Sequence, residues 1–205
     1  SAGAGGMVYM YGGEMVGVEG YNGGAVCLGG GSAAYTPSAF YMYGGKIADN
    51  TTKRGAVFTE FPTDAAAKPA IIQILGGEIS YGKARIGGNI YAHAGNHANG
   101  GSVTIQKNTS GEVPQIFGGS ANYGGNLSVV GKTNITDAVI YGGEAIAGKD
   151  IQLTDVNKED ALEPKLTVGN GVVGGRTGAI SVVAPTGEAV YGTALHYTVS
   201  AGLHQ

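Results

Sequence analysis

An aromatic or aliphatic residue followed by a glycine pair recurs along this chain. The copies are Tyr11-Gly12-Gly13, Tyr43-Gly44-Gly45, Leu75-Gly76-Gly77, Phe117-Gly118-Gly119, Tyr141-Gly142-Gly143 and Val173-Gly174-Gly175, with a degenerate copy at Tyr191-Gly192-Thr193. The step from Gly12 to Gly44 equals the step from Gly44 to Gly76, and Gly142 to Gly174 repeats it. A period of about 32 residues belongs to repeat architectures. The remaining steps are longer or shorter, which reads as loop insertion and deletion on a constant scaffold. With 40 glycines in 205 residues, helix-rich folds are excluded, because glycine costs about 1 kcal/mol relative to alanine at a helix-interior position. Collagen is excluded because the glycines come in pairs without a strict third-residue period.

A second motif interleaves with the first. It reads Gly24-Ala-Val-Cys-Leu28, Gly55-Ala-Val-Phe-Thr59, Gly88-Asn-Ile-Tyr-Ala92, Gly125-Asn-Leu-Ser-Val129, Lys149-Asp-Ile-Gln-Leu153 and Gly178-Ala-Ile-Ser-Val182. Gly101-Ser-Val-Thr-Ile105 is an extra copy inside the longest repeat. Two residues before each glycine pair the side chain is always apolar and never aromatic: Met10, Met42, Ile74, Ile116, Ile140, Val172. Strand side chains repeat with period two, so these positions should form one buried stack. Val26, Val57, Ile90, Leu127, Ile151 and Ile180 should form another. A unit with two or three such strands cannot bury its apolar face alone; parallel stacking at about 4.8 Å buries a continuous core. The expected fold is therefore all-β, a single-domain parallel β-helix of about seven rungs, with glycine pairs at the corners. Residues 1–205 form one domain in this reading, with repeats over 5–193 and a C-terminal strand or cap over 194–205. A β-sandwich would show closely and regularly spaced turn signals instead.

Segments such as Phe40-Tyr-Met-Tyr-Gly-Gly-Lys-Ile-Ala-Asp-Asn-Thr-Thr52 resemble the Gly-Gly-rich repeats of bacterial right-handed β-helix surface proteins, the pectate-lyase-like and adhesin-like group. The resemblance extends over most of 5–193. It implies an extracellular or cell-surface location and binding to glycans or neighbouring cells.

Helical signals are confined to loops. Thr63-Asp-Ala-Ala-Ala-Lys68 before Pro69, and Asn157-Lys-Glu-Asp-Ala-Leu-Glu163 before Pro164, each read as one helical turn. Leu195-His-Tyr-Thr-Val199 alternates and is expected to add a last strand. The N-terminus shows no signal, so the chain reads as a mature or excised piece, and its entry into the repeats with no recognisable cap points to a fragment, a pairing partner at that end or a cap too short to recognise. Its single cysteine, Cys27, precludes an internal disulfide. No apolar stretch approaches the length that a membrane-spanning helix needs, so none is expected. A net charge of −3 carries no electrostatic footprint for nucleic acid.

Signals for chemistry are sparse. After each glycine pair stand Glu14, Lys46, Glu78, Ser120, Glu144 and Arg176, which read as a charge ladder of alternating sign on the outside. A catalytic pairing of Glu14 with Glu78 would have Lys46 between the carboxylates. No Asp-x-Asp cluster suits calcium, and Arg85-Ile-Gly87 only faintly resembles a lyase or hydrolase fragment. His93 and His97 lie four apart, but Gly95, Asn96 and Asn99 disfavour a helix there, so solvated loop histidines are expected. The glycine runs lack the Lys-Ser/Thr of a phosphate loop. Asn50, Asn108, Asn126 and Asn134 fit the glycosylation pattern, which recurs by chance in such sequences. Neither cofactor nor metal is implied, and no catalytic residue is assigned.

The informative surface feature is aromatic. Residues just before the glycine pairs read Tyr11, Tyr43, Leu75, Phe117, Tyr141 and Val173. Two earlier stand Tyr9, Tyr41, Gln73, Gln115 and Val139. These positions face away from the core, and such a stripe marks a binding surface or is covered. Tyr9, Tyr11, Tyr41 and Tyr43 are the candidate binding residues, for a glycan or another protein, including a second copy of the chain along the stripe or at an end. The loop Gly29–Ser38 is the candidate cover. Two function classes follow: a non-catalytic adhesive or structural surface module, or a polysaccharide-active lyase or glycosidase relative. A phage tail-spike-like module is a variant of either.

Overall fold

The computed structural model describes residues 5–29, 36–59, 70–93, 102–129, 133–152, 166–174, 180–183 and 198–201. Every regular element among them is a β-strand. The first repeat supplies β1 (Met7–Met10), β2 (Glu14–Val16), β3 (Glu19–Asn22) and β4 (Val26–Leu28). The second supplies β5 (Ala39–Met42), β6 (Lys46–Ala48), β7 (Thr51–Arg54) and β8 (Val57–Thr59). The third supplies β9 (Ile71–Ile74), β10 (Glu78–Ser80) and β11 (Ile90–Ala92). The fourth supplies β12 (Ser102–Ile105), β13 (Gln115–Phe117), β14 (Ser120–Tyr123) and β15 (Leu127–Val129). Then come β16 (Thr133–Tyr141), β17 (Glu144–Ala147), β18 (Ile151–Gln152) and β19 (Leu166–Gly174). Last are β20 (Ile180–Val183) and β21 (Thr198–Ala201).

Corresponding strands pair in parallel from repeat to repeat and make four rows. The first row is β1, β5, β9, β12, β16 and β19. The second is β2, β6, β10, β13 and the C-terminal half of β16. The third joins β3 to β7 and β14 to β17, with Lys83 and Ile86 bridging between them. The fourth is β4, β8, β11, β15 and β18. Met7 pairs with Ala39, Ala39 with Ile71, Ile71 with Ser102 and Val103 with Thr133. The first two offsets are equal, and each of the next two is shorter by a single position. The underlying period is thus steadier than the glycine spacing.

Inward side chains of the first, second and fourth rows merge into one core, from Met10, Met42 and Ile74 through Ile47 and Ile79 to Val57, Ile90 and Leu127. The expected stack of Val26, Val57, Ile90, Leu127 and Ile151 is present as the fourth row. The stack expected beneath the glycine pairs is only half right. Met10, Met42 and Ile74 are in register, but the next member is Ile105 and then Ile135. Ile116 and Ile140 are buried in the second row instead, stacked on Ile79 and Ile47.

The reason is local. At the corner after β5 and β9, Gly45 and Gly77 have positive φ, and a Cβ on Gly77 would lie 2.6 Å from the Gly45 carbonyl oxygen. Only glycine stacks on glycine this closely. In the fourth repeat that corner is replaced by residues 106–114. Asn108 accepts hydrogen bonds from the Ser110 and Glu112 amides (3.0 and 2.9 Å), and Glu112 accepts one from the Gly77 amide (2.8 Å). Gly118-Gly119 therefore belongs to the next corner, beside Tyr81-Gly82. The extra Ser102–Ile105 copy is simply the first-row strand of that repeat.

Buried polar groups follow the same stacking. Asn89 donates to Asn126 Oδ1 and Asn126 to Asp150 Oδ1, both at 2.9 Å. Each of the three also accepts a backbone amide, from Gly82, Gly119 and Gly143 respectively. All three are fully buried, so this line satisfies corner amides that the strand pairing leaves over. Toward the C-terminus, β20 pairs antiparallel with β21. That departs from the expected parallel continuation of Ile180 and Val182 onto the fourth row. The helical turns expected at 63–68 and 157–163 lie outside the described residues.

Candidate functional site

Tyr9 and Tyr41 occupy paired positions of β1 and β5 on the side opposite Met10 and Met42. Their rings stack at 5.0 Å with 10° between planes. Tyr11 and Tyr43 follow the two strands and stack likewise, at 5.0 Å and 11°. The planes of Tyr9 and Tyr11 are themselves nearly parallel, 8° apart with ring centres separated by 6.4 Å. Four rings thus form a two-by-two array. Exposure falls along it: Tyr11 is 73% exposed and Tyr9 49%, whereas Tyr41 and Tyr43 are half-buried. Ring stacking at one-strand spacing has a chemical consequence. One face of Tyr41 and one of Tyr43 are occupied by the neighbouring tyrosine, so a ligand running along the stripe meets ring edges and hydroxyls.

The stripe does not continue as the sequence pattern proposed. Tyr41 is followed in register by Gln73 as expected, but the next member is Thr104 and not Gln115, and Leu75, at the third glycine pair, is buried. Residues 106–114 close over this side: the Asn108 amide donates to the Tyr43 carbonyl (3.4 Å), and Glu112 reaches the Gly77 amide. The loop first considered as a cover, Gly29–Ser38, falls at 30–35 outside the described residues. Phe117 and Tyr141 stack on each other at 5.0 Å in the second row. Tyr81 meets Phe117 edge-on at 5.2 Å, making a separate aromatic cluster one corner away.

The charge ladder is present over three repeats. Glu14, Lys46 and Glu78 are consecutive in the second row, and Lys46 Nζ lies 3.1 Å from Glu78 Oε1. The Glu78 carboxylate, by hydrogen bond and charge, raises the Lys46 pKa above its ordinary value. The row continues with Gln115, not Ser120. Ser120 and Glu144 belong to the third row, again because their glycine pairs mark a different corner. His93 stacks on Tyr91 at 5.3 Å, and His97 lies outside the described residues. Asn50 and Asn126 of the glycosylation-like patterns are fully buried. Among the described residues no group of three or more histidine, cysteine, aspartate or glutamate side chains is placed to hold a metal ion. No described helix is long and apolar enough to cross a membrane.

Sequence reasoning missed the outward face of the third row. Period-two alternation puts Lys83 and Arg85 on the same side of one segment, both exposed, while Tyr81 precedes them at a left-handed corner, φ 52°. Register then sets Arg85 beside Lys53, and Lys53 beside Tyr21. The Lys53 ammonium lies 4.4 Å from the Tyr21 ring centre. The alternating pattern of these residues was visible, but without the row assignment nothing tied residues 53 and 85 together. Comparison with protein-family models, curated proteins and solved structures found no match to this chain.

Proposed function

We propose that this chain is a parallel β-helix module, extracellular or carried on a bacterial surface, that binds a glycan or protein partner without catalysis. The Tyr9/Tyr11/Tyr41/Tyr43 array carries this reading. Four tyrosines held on adjacent parallel strands lose little freedom when a partner docks, and each offers an apolar ring with a polar tip. The neighbourhood favours a protein partner or a second copy. Met7, Tyr9 and Tyr11 are all exposed on one side of the first repeat. An apolar set gathered on one repeat is the mark of an association surface. A β-helix winding is supported by the nearly constant offset of parallel pairing from one repeat to the next and by the single core shared by three rows. The polysaccharide-active alternative gains nothing from Glu14 and Glu78, since Lys46 stands between them in register.

The deciding experiment is the Tyr41→Ala/Tyr43→Ala double variant, read by sedimentation, glycan-array binding and thermal melting. Lost association or glycan binding at an unchanged Tm supports the reading. A large fall in Tm with no binding phenotype would make the array an outer packing layer and remove it as a site.

A further inference from the structure

Tyr9 and Tyr11 hold the accessible side of the tyrosine array, 49% and 73% exposed. Their ring planes are 8° apart and their centres 6.4 Å apart. Tyr41 and Tyr43 lie half-buried beside them, each ring stacked on its in-register neighbour at 5.0 Å. Four phenols gathered this closely invite oxidation chemistry. Loss of one electron and one proton turns a phenol into a phenoxyl radical. Its spin sits on the oxygen and on the ring carbons that flank the C–O carbon. Two such radicals couple at those carbons to give dityrosine.

Geometry selects which pair can couple. The new biaryl bond lies in the plane of each ring, so it joins ring edges. It sets the two Cβ atoms well beyond one strand spacing of about 4.8 Å, and close to the about 6.6 Å between alternate residues of a strand. The cross-strand pairs Tyr9–Tyr41 and Tyr11–Tyr43 are one strand spacing apart and show each other their faces. Tyr9 and Tyr11 are alternate residues of one chain segment, side by side, with parallel rings. Both are open to a soluble oxidant and to water that takes the protons. The Tyr9 hydroxyl donates to Met7 Sδ at 3.4 Å, and Met7 is itself 52% exposed.

Other exposed tyrosines lack this arrangement. Tyr141 stacks at 5.0 Å and 9° on Phe117, which has no phenol, and Tyr81 meets the same Phe117 edge-on. Tyr21 has the Lys53 ammonium 4.4 Å from its ring centre.

We propose that Tyr9 and Tyr11 form an oxidative modification site that closes to an intramolecular dityrosine. Two equivalents of a one-electron oxidant, such as a peroxidase intermediate or a ruthenium(III) complex, take one electron from each phenol and are themselves reduced. Both phenolic protons go to water. One carbon–carbon bond forms, and the hydrogen on each joined carbon moves to the oxygen of its own ring. The product is the parent less two hydrogen atoms. The bond ties alternate residues at strand spacing, so it fixes this segment extended and makes the outer half of the array one rigid unit. The site does not depend on the array binding a partner.

Photo-oxidation of the dilute full chain with tris(bipyridyl)ruthenium and persulfate tests it. Dityrosine fluorescence should appear on the monomer, with an intact mass lower by two hydrogens. Sulfoxide formed at Met7 adds an oxygen instead and is told apart by mass. Peptide mapping should join Tyr9 to Tyr11. Tyr9→Phe and Tyr11→Phe should each lower the monomer dityrosine yield at least about tenfold, because each removes one of two oriented reactants. Tyr41→Phe/Tyr43→Phe and Tyr81→Phe/Tyr141→Phe should leave the yield unchanged. Phenylalanine keeps the rings in place, and an unchanged Tm before oxidation verifies folding. Partner binding is read on the unoxidised chain, so its failure and failure of this site are distinguishable. Absence of dityrosine from the monomer overturns the proposal. So does a link that maps between repeats, or an undiminished yield in Tyr11→Phe.

Discussion

The side-chain amide of Asn126 donates to the carboxylate of Asp150 at 2.9 Å, and neither residue is exposed. A line of stacked carboxamides therefore reaches a buried carboxylate, whose Oδ1 also accepts the Gly143 amide at 2.7 Å. Asp150→Asn keeps this acceptor and should stay within about 1 kcal/mol of the parent. Asp150→Ala leaves two buried donors without their acceptor and should cost about 2–6 kcal/mol, at about 1–3 for each unsatisfied group. Urea unfolding of the two variants measures the difference; equal losses would count against the line as a satisfied hydrogen-bond relay.

Ile74 and Ile105 are neighbours in the first row, whereas Ile116 belongs to the second. Each is fully buried, so truncation to alanine should cost about 2–5 kcal/mol at either site. The register appears in the coupling. A double-mutant cycle should give a larger interaction energy for Ile74 with Ile105 than for Ile74 with Ile116. The reverse order would mean the glycine-pair alignment was correct after all.

Lys46→Glu places three carboxylates in consecutive register with Glu14 and Glu78 and should lower Tm more than Lys46→Ala at low salt. The gap should close in about 1 M NaCl, where the screening length is about 3 Å. Because the folded-state pKa of Lys46 is raised above 10.5, its contribution is complete below that value and is lost only as pH rises through the higher folded value. Stability from this lysine should accordingly be flat from about pH 6 to about pH 9, checked by melting across that range with the Lys46→Ala variant as reference.

Gly13 and Gly45 share positive φ, but they differ in surroundings. A Cβ on Gly13 would meet nothing within 4 Å, whereas on Gly45 it would lie 2.7 Å from the Gly13 carbonyl oxygen and from Met10 Cε. Gly13→Ala should cost about 1 kcal/mol from backbone conformation alone. Gly45→Ala should cost more, because the first two repeats must separate there. Similar denaturation midpoints for both would show that the corners are looser than their geometry implies.

Much of this was legible beforehand. Val26, Val57, Ile90, Leu127 and Ile151 could be aligned because each sits two places after a glycine or lysine in a repeated motif. Glu14, Lys46 and Glu78 followed from the two equal spacings at the start of the chain. The misalignment began at Phe117. There a glycine pair sits at the second corner, while the first corner has become a loop closed by Asn108 and Glu112. A glycine pair reports a tight corner but carries no label saying which corner. Apolar residues flank both, so Ile116 looked like a continuation of Ile74. Ring orientation was also out of reach. The offset of Tyr9 and Tyr41 follows from strand period, but the stacking of their faces depends on side-chain rotamers set by the parallel register.

Each parallel pairing in these rows joins residues about one repeat apart in sequence, and no described row skips a repeat. Ordering can then spread from one repeat to the next without bringing the chain ends together. The repeat formed last has one neighbour to template it, and the wrong template nearest at hand is the same repeat shifted by one corner. Glycine pairs at two different corners make that shifted alignment locally plausible. The Asn89–Asn126–Asp150 line opposes it, since a one-corner slip would strand three buried polar side chains against apolar ones. In kinetic language, the polar line is expected to act as a proofreading step during assembly, so its removal should show as slow, misregistered refolding before it shows as lost equilibrium stability.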